Sequence, residues 1–510
     1  MIAVELDEVV RVIGGHVTRP LAGITVRGVS IDSRQINPGD LFFAIRGERF
    51  DGHDFVGAAL ENGAYAAVVA DTGSEPPTPV GGDVAGVNVC ASHSASAAAD
   101  LRLAGGVLVR VPDTVAALGK LAAFHRTLLP ADLIAVTGSN GKTTTKAMIQ
   151  HVLATRLHGR SAIKSFNNNI GVPLTLLSAD AKDEFVICEI GSNAPGEVAA
   201  LGEIIGPNIA VVTSIGAAHL EKLGGIEGVA REKLSLLEKV RPGGLGVVNI
   251  DHPLVRPILD FMQRRKVADP PWRDPSDGET HACTLVTTGT SAGADIRVTD
   301  IEASLAGTTF RINQRFCVQL QICGAHHALN AACAFAVCRR LNLEPEEIIA
   351  ALATFEPVAM RLNVERVGDV TLIDDCYNAN PTSMAAALDL LATVRGGRRV
   401  AVLGDMLELG PDAHRYHQEL GRLAAAAGIE LIIAVGAMRL SLMAGAEESG
   451  ADAAVVAFKD SEVAAGEISA YVRPADTVLV KASRAIKLER VTGAIRESAA
   501  RMPRALSVSA

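Results

Sequence analysis

The chain has 510 residues, of which 48% are hydrophobic and 21% are charged. At about 100–200 residues per domain this length predicts roughly three domains, and the composition excludes a mostly disordered, collagen-like or coiled-coil chain. The 48 basic and 57 acidic side chains leave a net charge of −9, so a generally basic groove for nucleic acid is not expected. Anionic ligands would have to be bound by local groups.

Cysteine usage and the start of the chain indicate a cytoplasmic protein. The eight cysteines, Cys90 among them, include no C-x-x-C pair, which favours buried reduced thiols over disulfides or a zinc site. The first residues, MIAVELDEVVRVIGG, carry acids where a signal peptide has a basic end. No stretch approaches about 18 uncharged apolar residues, so we expect no membrane insertion.

Residues 1–111 alternate short apolar runs with turns and predict a small α/β domain. The predicted strands are Ile24–Ile31, Asp40–Ile45, Ala64–Val69 and Val107–Val111. Residues 71–106 are rich in Gly, Ala, Ser and Pro, and we interpret them as a loop insertion.

Two further α/β domains are predicted over residues 112–340 and 341–510. In the central domain, buried apolar runs separated by helical stretches predict a parallel sheet covered on both faces. The same alternation in the C-terminal domain predicts a separate Rossmann-like sheet. The runs are Leu133–Val136, Phe185–Ile190, Ile209–Thr213 and Leu245–Ile250, and then Val370–Ile373, Val400–Leu403, Leu431–Val435 and Thr477–Val480. A polar stretch from Arg264 is expected to be an exposed loop.

The strongest local signal is a glycine loop between a predicted strand and a helix. It consists of Gly138, Ser139, Asn140, Gly141, Lys142, Thr143 and Thr144. Strand, glycine loop and helix stand in the order that a phosphate-binding loop requires, with glycine amides near the phosphates and a lysine toward the terminal ones. Thr143 would then hold Mg²⁺. The spacing G-x-x-G-K-T is shorter than usual, and the alternative is a simple glycine turn.

Two polar residues follow neighbouring strands and are candidates for the same site. Glu189 closes the run Phe185-Val186-Ile187-Cys188, and His219 follows the run that ends at Thr213. Ligands of open α/β sheets bind outside the carboxyl ends of the strands, so both side chains are candidate metal or phosphate contacts. Each signal is weak alone, because a capped strand end or a structural histidine would look the same.

Lys233 lies on the apolar side of a predicted helix that starts near Ile226. A rotation of about 100° per residue places it on one apolar stripe and places Arg231 and Glu232 on the outer face. The other members of the stripe are Ile226, Val229, Leu237 and Val240. A lysine in apolar surroundings has a lowered pKa and can act as a base, form a Schiff base or react with CO₂. The alternative is a lysine stem at the edge of the stripe whose amine reaches water.

A polar cluster follows a strand of the third domain. It is the segment D-D-C-Y-N-A-N-P from Asp374 to Pro381. Gly404-Asp405 and Lys481 follow two other predicted strands of this sheet in the same way. We expect a crevice between the second and third domains that collects charge from both sheets, although Asn-Pro fits an ordinary turn equally well.

Over essentially its whole length the chain resembles the ATP-dependent Mur ligases of peptidoglycan precursor synthesis. Thr137 to Thr144 is similar to their T-G-x-N-G-K-T-[ST] loop, which accounts for the short spacing. The other motifs are D-S-R at Asp32, P-G-D-L-F-F-A at Pro38, D-G-H at Asp51, N-N-N-I-G-V-P-L-T-L-L at Asn167, E-I-G-S-N at Glu189, I-G-A-A-H-L-E ending at Glu221, D-D-C-Y-N-A-N-P-T-S at Asp374 and L-G-D-M-L-E-L-G at Leu403. The D-N-P-R motif of ligases that add diaminopimelate is not found.

The resemblance implies a reaction and a set of roles. The reaction would join D-alanyl-D-alanine to UDP-N-acetylmuramoyl-tripeptide with ATP and two Mg²⁺ ions. The protein would be a cytoplasmic monomer that contacts no nucleic acid and does not insert into a membrane. The phosphate loop and Lys142 would bind ATP, with Asn330 on the adenine side and Arg361 and Asp375 reaching ATP on closure. Metal sites would use Thr143, Glu189, His219 and Lys233, the last as a carbamate. Substrate contacts would be Ser33, Arg34, Asp51, Gly52, His53, Asn168 and Ser192.

Two departures and two alternatives accompany this resemblance. Met360 and Ala482 stand where many relatives have glycine, which puts the local backbone geometry in question. A related amide ligase such as a folylpolyglutamate synthase is disfavoured by the N-terminal D-S-R and D-G-H motifs. A nucleotide-dependent switch without ligase chemistry is disfavoured because no N-K-x-D signature is present and a second polar cluster is more than a switch needs.

Overall fold

The computed structural model describes residues 1–17, 21, 23–47, 50–71, 107–162, 166–268 and 283–502, with the backbone alone for 263–268. Nearly all of the predicted 71–106 insertion, Cys90 within it, and most of the polar loop after Arg264 lie outside the described residues. Contacts divide the chain into two compact units. The first comprises Met1–Leu133, His158–Glu189 and Ala200–Gly206, and the second Ile134–Leu157, Ile190–Ala199 and Pro207–Ala510.

The described helices and strands alternate along the chain. In order they are β1 (Val4–Glu5), α1 (Leu6–Ile13), β2 (Thr25–Val26), β3 (Gly28–Ser30), β4 (Asp40–Phe43), α2 (Val56–Glu61), β5 (Ala66–Ala70), β6 (Val107–Val111), α3 (Thr114–Leu128), β7 (Asp132–Thr137), α4 (Lys142–Leu153), β8 (Gly159–Ser161), α5 (Gly171–Ser178), β9 (Phe185–Glu189), α6 (Glu197–Ile205), β10 (Ile209–Val212), α7 (Leu220–Leu223), α8 (Ile226–Leu234), β11 (Leu245–Asn249) and α9 (Val255–Ala268). They continue with β12 (Thr284–Gly289), β13 (Ile296–Ser304), β14 (Gly307–Ile312), β15 (Phe316–Leu320), α10 (His326–Arg340), α11 (Pro345–Leu352), β16 (Asn363–Val367), β17 (Val370–Asp374), α12 (Pro381–Ala392), β18 (Arg399–Gly404), α13 (Ala413–Ala426), β19 (Leu431–Val435), α14 (Arg439–Glu448), β20 (Ala454–Phe458), α15 (Ser461–Glu467), β21 (Thr477–Lys481) and α16 (Glu489–Arg501).

The first unit contains a parallel sheet in the order β3-β4-β5-β6. Every residue of β4 is buried, and Phe42 and Phe43 are among the largest fully buried side chains of the protein. Phe42 packs with Val56 and Ala59 of α2 in one core cluster. Strands β8 and β9 of the same unit also pair in parallel, and β1 pairs with β2 in an antiparallel ladder.

The second unit contains a sheet in which β15, β14, β13, β12, β11, β10 and β7 are successive neighbours. Strand β7 belongs to this unit from Ile134 onward. The strands from β13 to β7 pair in parallel, and every residue of β10 and β11 is buried, so both faces of that part of the sheet are covered. Strands β13, β14 and β15 extend it as an antiparallel meander.

The same unit contains a six-stranded sheet in the order β16-β17-β21-β18-β19-β20, parallel except for the edge strand β16. Successive residues of one strand enter different cores, because side chains alternate across a sheet. Ile373 shares a core cluster with Leu388 of α12, whereas Leu372 shares one with Val491 and Ile495 of α16. Helices therefore cover both faces, as in a doubly wound fold.

The predicted strands are present, with most ends shifted by one or two residues, but several other strands were not predicted. Residues Ile24–Ile31 form two strands, β2 and β3, interrupted at Arg27. The meander β13–β15 was missed because one of its faces is exposed, which leaves no continuous apolar run. The expectation of buried thiols is wrong for Cys317 on β15, which is exposed, and for Cys283, which is only half-buried. Cys188, Cys323, Cys333, Cys338 and Cys376 are buried free thiols as expected.

None of the described helices is both long and apolar enough to cross a bilayer.

Candidate functional site

The phosphate loop has the glycine-dependent backbone that its sequence predicts. Gly138 and Gly141 have φ angles of 141° and 81°, which side chains disfavour. A β-carbon at Gly138 would lie 2.1 Å from Oγ1 of Thr213, and one at Gly141 would lie 2.2 Å from Oδ1 of Asn330. Helix α4 begins directly after Gly141, at Lys142. Both glycines are therefore required by conformation and by close approach.

The loop is braced by the segment that follows β10. The backbone N–H of Ser139 donates to the backbone oxygen of Ser214 at 2.9 Å, and the backbone N–H of Asn140 donates to Oγ of Ser214 at the same distance. The Ser139 hydroxyl donates to the backbone oxygen of Gly216 at 3.0 Å. These bonds fix the shape of the loop. The start of α4, where backbone N–H groups and the helix dipole are directed outward, is the part suited to bind an anion.

Arg361, which follows the central domain, contacts the phosphate loop directly. Its Nη2 donates to Oγ1 of Thr143 at 2.9 Å, and its Cζ lies 4.3 Å from the ring centroid of Tyr377. Met360 and Leu362 on either side have φ angles of 60° and 50°. Such left-handed backbone costs about 1–3 kcal/mol for a residue with a side chain. The doubt raised by Met360 is thus justified, since this position adopts the conformation that glycine favours.

The second departure, Ala482, adopts no such backbone. It packs beside Gly404, whose own β-carbon would lie 2.6 Å from that of Ala482. The alanine is therefore accommodated by a glycine on the neighbouring strand β18.

The ends of β17 and β21 supply further polar groups beside the loop. Lys481 Nζ donates to Asp375 at 2.7 Å, and both side chains are buried. The other oxygen of Asp375 accepts from the backbone N–H of Leu362 at 3.2 Å. Asn380 caps α12 and donates to the side-chain oxygen of Asn140 at 2.7 Å. The carboxyl edge of the C-terminal sheet thus contacts the phosphate loop within the second unit.

Lys233 is buried on α8, with 1% of its surface exposed, and its Nζ donates to the hydroxyl of Ser192 at 2.6 Å. Burial, together with the positive charge of Lys142, lowers the pKa of Lys233 to about 7. A substantial fraction of the amine is then neutral near pH 7. The apolar placement predicted from the sequence is confirmed for Lys233, and the amine does not extend to solvent.

The prediction for Glu232, its neighbour, was wrong. Glu232 is buried and accepts backbone N–H bonds from Gly196 at 2.7 Å and Val198 at 2.8 Å. Its carboxylate accepts from backbone N–H groups at the start of α6 that have no partner within that helix. The periodicity of α8 alone cannot show this contact with another helix. Helix α8 also ends at Leu234 and passes into a 3₁₀ turn, so the single long helix assumed for Leu237 and Val240 does not form.

Asn330 and His219 both contact other polar side chains. Asn330 lies on α10 against Gly141, and its Nδ2 lies 3.2 Å from Nδ1 of His327. Burial lowers the pKa of His327 well below its usual value, which favours the neutral ring. Nδ1 of His219 lies within ion-pairing distance of the carboxylate of Glu408, and this contact lowers the pKa of Glu408. Both residues of this pair have positive φ, 55° and 63°.

Two candidate residues, Glu189 and Asn168, lie in the His158–Glu189 segment of the first unit. Glu189 ends β9 with 1% of its surface exposed and accepts from Nδ2 of Asn167 at 3.2 Å. Oδ1 of Asn168 accepts from the backbone N–H groups of Ile170 at 3.2 Å and Gly171 at 2.9 Å, in the turn that leads into α5. The amide Nδ2 of Asn168 does not take part in these bonds.

The D-G-H motif forms a hydrogen-bonded turn. Asp51 accepts from the backbone N–H and Nδ1 of His53, at 3.0 and 2.6 Å, and from Arg46 at 2.8 Å. Burial raises the pKa of Asp51, but these bonds outweigh it and lower the pKa to about 2. Nε2 of His53 accepts from the N–H of Ala70, so its proton resides on Nδ1. Gly52 is required here, since a β-carbon would lie 2.6 Å from the backbone of Ile45.

The D-S-R motif forms a second turn, and both turns pack against α2. Arg34 is exposed and donates to Asp32 at 2.8 Å, and this hydrogen bond lowers the pKa of Asp32 to about 2. Ser33 is buried, and its backbone oxygen accepts from Nδ2 of Asn62 at 2.8 Å. The structure thus brings Ser33, Asp51 and their neighbours to one helix of the first unit.

In the second unit the structure gathers the loop residues, Ser192, Lys233, Asn330, Arg361 and Asp375. The sequence interpretation did not assign roles to Tyr377, Asn380 or Glu408. Each lies in one of the family motifs, D-D-C-Y-N-A-N-P or L-G-D-M-L-E-L-G. Their partners lie elsewhere in the chain: Asn380 contacts Asn140, Glu408 contacts His219, and Tyr377 contacts Arg361. Only the folded chain identifies those pairs.

Fold and site together define a nucleotide-binding α/β protein whose phosphate loop is contacted by a second, Rossmann-like sheet. Three family models match consecutive parts of the chain: the Mur ligase family catalytic domain over residues 25–126, the Mur ligase middle domain over 136–338 and the Mur ligase glutamate ligase domain over 360–484. The chain belongs to the Mur ligase family. The predicted three-part α/β fold and the family resemblance are confirmed, and the domain boundaries stay a prediction.

Relatives and solved structures agree with this assignment. The chain is 31% identical to UDP-N-acetylmuramoyl-tripeptide--D-alanyl-D-alanine ligase of Bacillus subtilis over 98% of this chain and 99% of that protein. A crystal structure of MurF from Acinetobacter baumannii matches with a TM-score of 0.79 and 27% identity, covering 96% and 98% of the two chains. MurF ligase from Thermotoga maritima, solved in complex with ADP, matches with a TM-score of 0.73 and 26% identity over 93% and 98%.

Proposed function

We propose that the protein is an ATP-dependent ligase that joins D-alanyl-D-alanine to UDP-N-acetylmuramoyl-tripeptide. The observation that carries the proposal is the contact of Arg361 and Asn380 with the phosphate loop, at 2.9 and 2.7 Å. A nucleotide held by that loop has its phosphates beside polar groups of a second sheet. The names of the full-length relatives supply the substrates.

The reaction activates a carboxylate. The terminal carboxylate of the tripeptide attacks the γ-phosphorus of ATP, which forms an acyl phosphate and releases ADP. The amine of the dipeptide then attacks the acyl carbon, the C–N bond forms, and the bond to the phosphate oxygen breaks. The dipeptide ammonium loses two protons overall, one carried by the released phosphate and one by solvent. The protein's part is to position these groups, balance charge and exclude water.

Residue roles follow from the contacts and the family resemblance. Lys142 and the start of α4 hold the β- and γ-phosphates, and Arg361 reaches the same phosphates from its position on Thr143. Asp375 positions Lys481 and the turn at Arg361 through its hydrogen bonds to Lys481 and to the backbone N–H of Leu362. Asn330 packs against Gly141 and contacts the adenine side of the nucleotide. The precursor contacts are proposed to be Ser33, Arg34, Asp51, Gly52, His53, Asn168 and Ser192.

Magnesium fits the chemistry of the donor set. The described residues contain no group of three or more His, Cys, Asp or Glu side chains arranged around a metal. Mg²⁺ does not need one, because it binds through one or two protein oxygens, substrate phosphates and water. The hydroxyl of Thr143 and the carboxylate of Glu189 are such donors, whereas His219 would act through water. The ion would neutralise phosphate charge.

Lys233 is proposed to carry a carbamate. Its pKa of about 7 leaves neutral amine available, and that amine can attack CO₂, form an N–C bond and release one proton. The product would turn a buried amine, which Mg²⁺ does not favour, into an oxygen ligand.

The test is the substrate dependence of phosphate release. With ATP and Mg²⁺, release should require both UDP-N-acetylmuramoyl-tripeptide and D-alanyl-D-alanine, and the pentapeptide should appear in equal amount. Release with ATP alone would indicate a nucleotide switch and would refute the proposal. Release with a glutamate acceptor instead would indicate a folylpolyglutamate synthase. Tripeptides that end in diaminopimelate or in lysine, assayed side by side, would identify the third residue.

Tyr377 is expected to position Arg361 by stacking. Tyr377→Leu should lower kcat about tenfold. The cation–π contact stabilises the position of the guanidinium by roughly 0.5–2 kcal/mol, and without the ring the guanidinium of Arg361 is free to move. Tyr377→Phe keeps the ring and should retain kcat within about twofold. Steady-state kinetics at saturating substrates would show the difference. Equal losses in both variants would mean that the phenol oxygen, and not the ring, is what matters.

A further inference from the structure

Two arginines lie near the ring of Tyr377, and Arg361 is the one that contacts the phosphate loop. The Cζ atoms of Arg361 and Arg484 lie 4.3 and 5.9 Å from the centroid of its ring. Arg361 is bonded to Thr143, whereas Arg484 lies in a 3₁₀ turn after β21 and keeps 54% of its side chain exposed. Arg484 has no role in the activation of the carboxylate or in the binding of the phosphates proposed for Arg361.

The turn that carries Arg484 is fixed to the ends of the neighbouring strands. The hydroxyl of Ser483, the preceding residue, accepts from the backbone N–H of Leu407 at 2.9 Å and donates to the backbone oxygen of Ala379 at 3.4 Å. Ala482 packs against Gly404. Arg484 is therefore presented at the carboxyl edge of the C-terminal sheet by a well-supported backbone, in the crevice where parallel sheets bind ligands.

Arg484 is more accessible to an incoming anion than the two nearby lysines, Lys481 and Lys142. Lys481 is buried with Asp375, and Lys142 donates to the backbone oxygen of Gly138 at 2.7 Å. The partner of Arg484 is Glu489 at 3.2 Å, with side chains 54% and 35% exposed. Such an exposed ion pair contributes little to stability, so a carboxylate ligand can replace Glu489.

The spacing fits one substrate of the proposed reaction. Both guanidinium groups lie near the same ring, so their Cζ atoms are at most about 10 Å apart, and an extended dipeptide spans about 7 Å between its amine and its carboxylate. Its amine must reach an acyl group beside the phosphates. Resting on the proposed function, we propose that Arg484 binds the C-terminal carboxylate of D-alanyl-D-alanine, while Arg361 serves the phosphates.

The experiment compares D-alanyl-D-alanine with D-alanyl-D-alaninamide, which keeps the amine and lacks the carboxylate. Phosphate release and ligated product are measured with ATP and UDP-tripeptide saturating. The wild-type enzyme should prefer the acid about 10- to 100-fold in kcat/KM, the range expected for hydrogen bonds to a charged group. Arg484→Gln should lower kcat/KM for the acid to about the level of the amide, with the KM for ATP unchanged.

The acid-to-amide ratio within one variant does not depend on how much of the protein is folded. Arg490→Gln is the matched control, since Arg490 is 48% exposed, pairs with Glu462 at 3.5 Å and lies six positions further on; its ratio should equal that of the wild type. If Arg484→Gln keeps the wild-type ratio, or raises the KM for ATP instead, the inference is refuted while the ligase function stands. If the wild type releases phosphate with neither dipeptide, the proposed function fails and this inference fails with it.

Discussion

Lys142→Ala should lower ADP formation at least about 10³-fold, the loss typical of removing a charge that stabilises a transferring phosphoryl group. Lys142 is the first residue of α4, and its ammonium lies 2.7 Å from the backbone oxygen of Gly138, within the loop that would hold the phosphates. Binding of the UDP precursor should change by less than about twofold, because its proposed contacts Ser33, Asp51 and His53 belong to the first unit.

Coupled ADP assays and calorimetric titration of the UDP-tripeptide would measure the two effects separately. Lys459→Ala is the control, because Lys459 directly follows β20, is 70% exposed and pairs with the exposed Asp460, at 4.0 Å. It should retain wild-type turnover. Substantial turnover by Lys142→Ala would invalidate the phosphate-loop assignment, and equal loss of precursor binding would show that the variant is misfolded.

Lys233→Met should lower turnover about 10²- to 10³-fold while leaving the fold intact. Methionine approximates the length of the lysine stem and suits a site with 1% exposure, so the packing on α8 is retained. What is lost is the amine, and with it the carbamate proposed to bind Mg²⁺. Depleting CO₂ should lower wild-type turnover reversibly, and added bicarbonate should restore it. Full activity of Lys233→Met would exclude any role of the amine in the reaction.

The same variant should alter how stability depends on pH. The pKa of Lys233 falls from 10.5 to about 7 on folding, so below pH 7 the lysine is charged in both states and the buried charge destabilises the fold. Between about pH 7 and 10.5 the unfolded chain binds more protons, and the free energy of unfolding contributed by this group rises with pH. Denaturant titrations of CO₂-depleted wild-type protein, in which Lys233 is the free amine, should show this rise, and Lys233→Met treated in the same way should lack it. A rise of equal size in both would place the titration on another group.

Local patterns were sufficient for the elements whose residues are buried on every side. The strands of the parallel sheets are continuous apolar runs, and the phosphate loop is marked by two glycines, a lysine and a threonine between a strand and a helix. The apolar position of Lys233 also followed from helical periodicity alone. The amino-acid order was sufficient to predict these features, because each of them is defined by residues that are close together in the sequence.

Contacts between distant segments were beyond that reasoning. Glu232 appeared solvent-facing by periodicity, yet it caps α6 through bonds to Gly196 and Val198. His219 had no partner in its own neighbourhood and pairs with Glu408, and Tyr377 was part of a noted motif before the fold placed Arg361 on its ring. Position in the sequence therefore determined which residues are candidates for the chemistry, and the tertiary structure decided which of them lie together. The physical reason is that hydrogen bonds and ion pairs act over a few ångströms of space, and only packing of the sheets brings segments far apart in the chain to that distance.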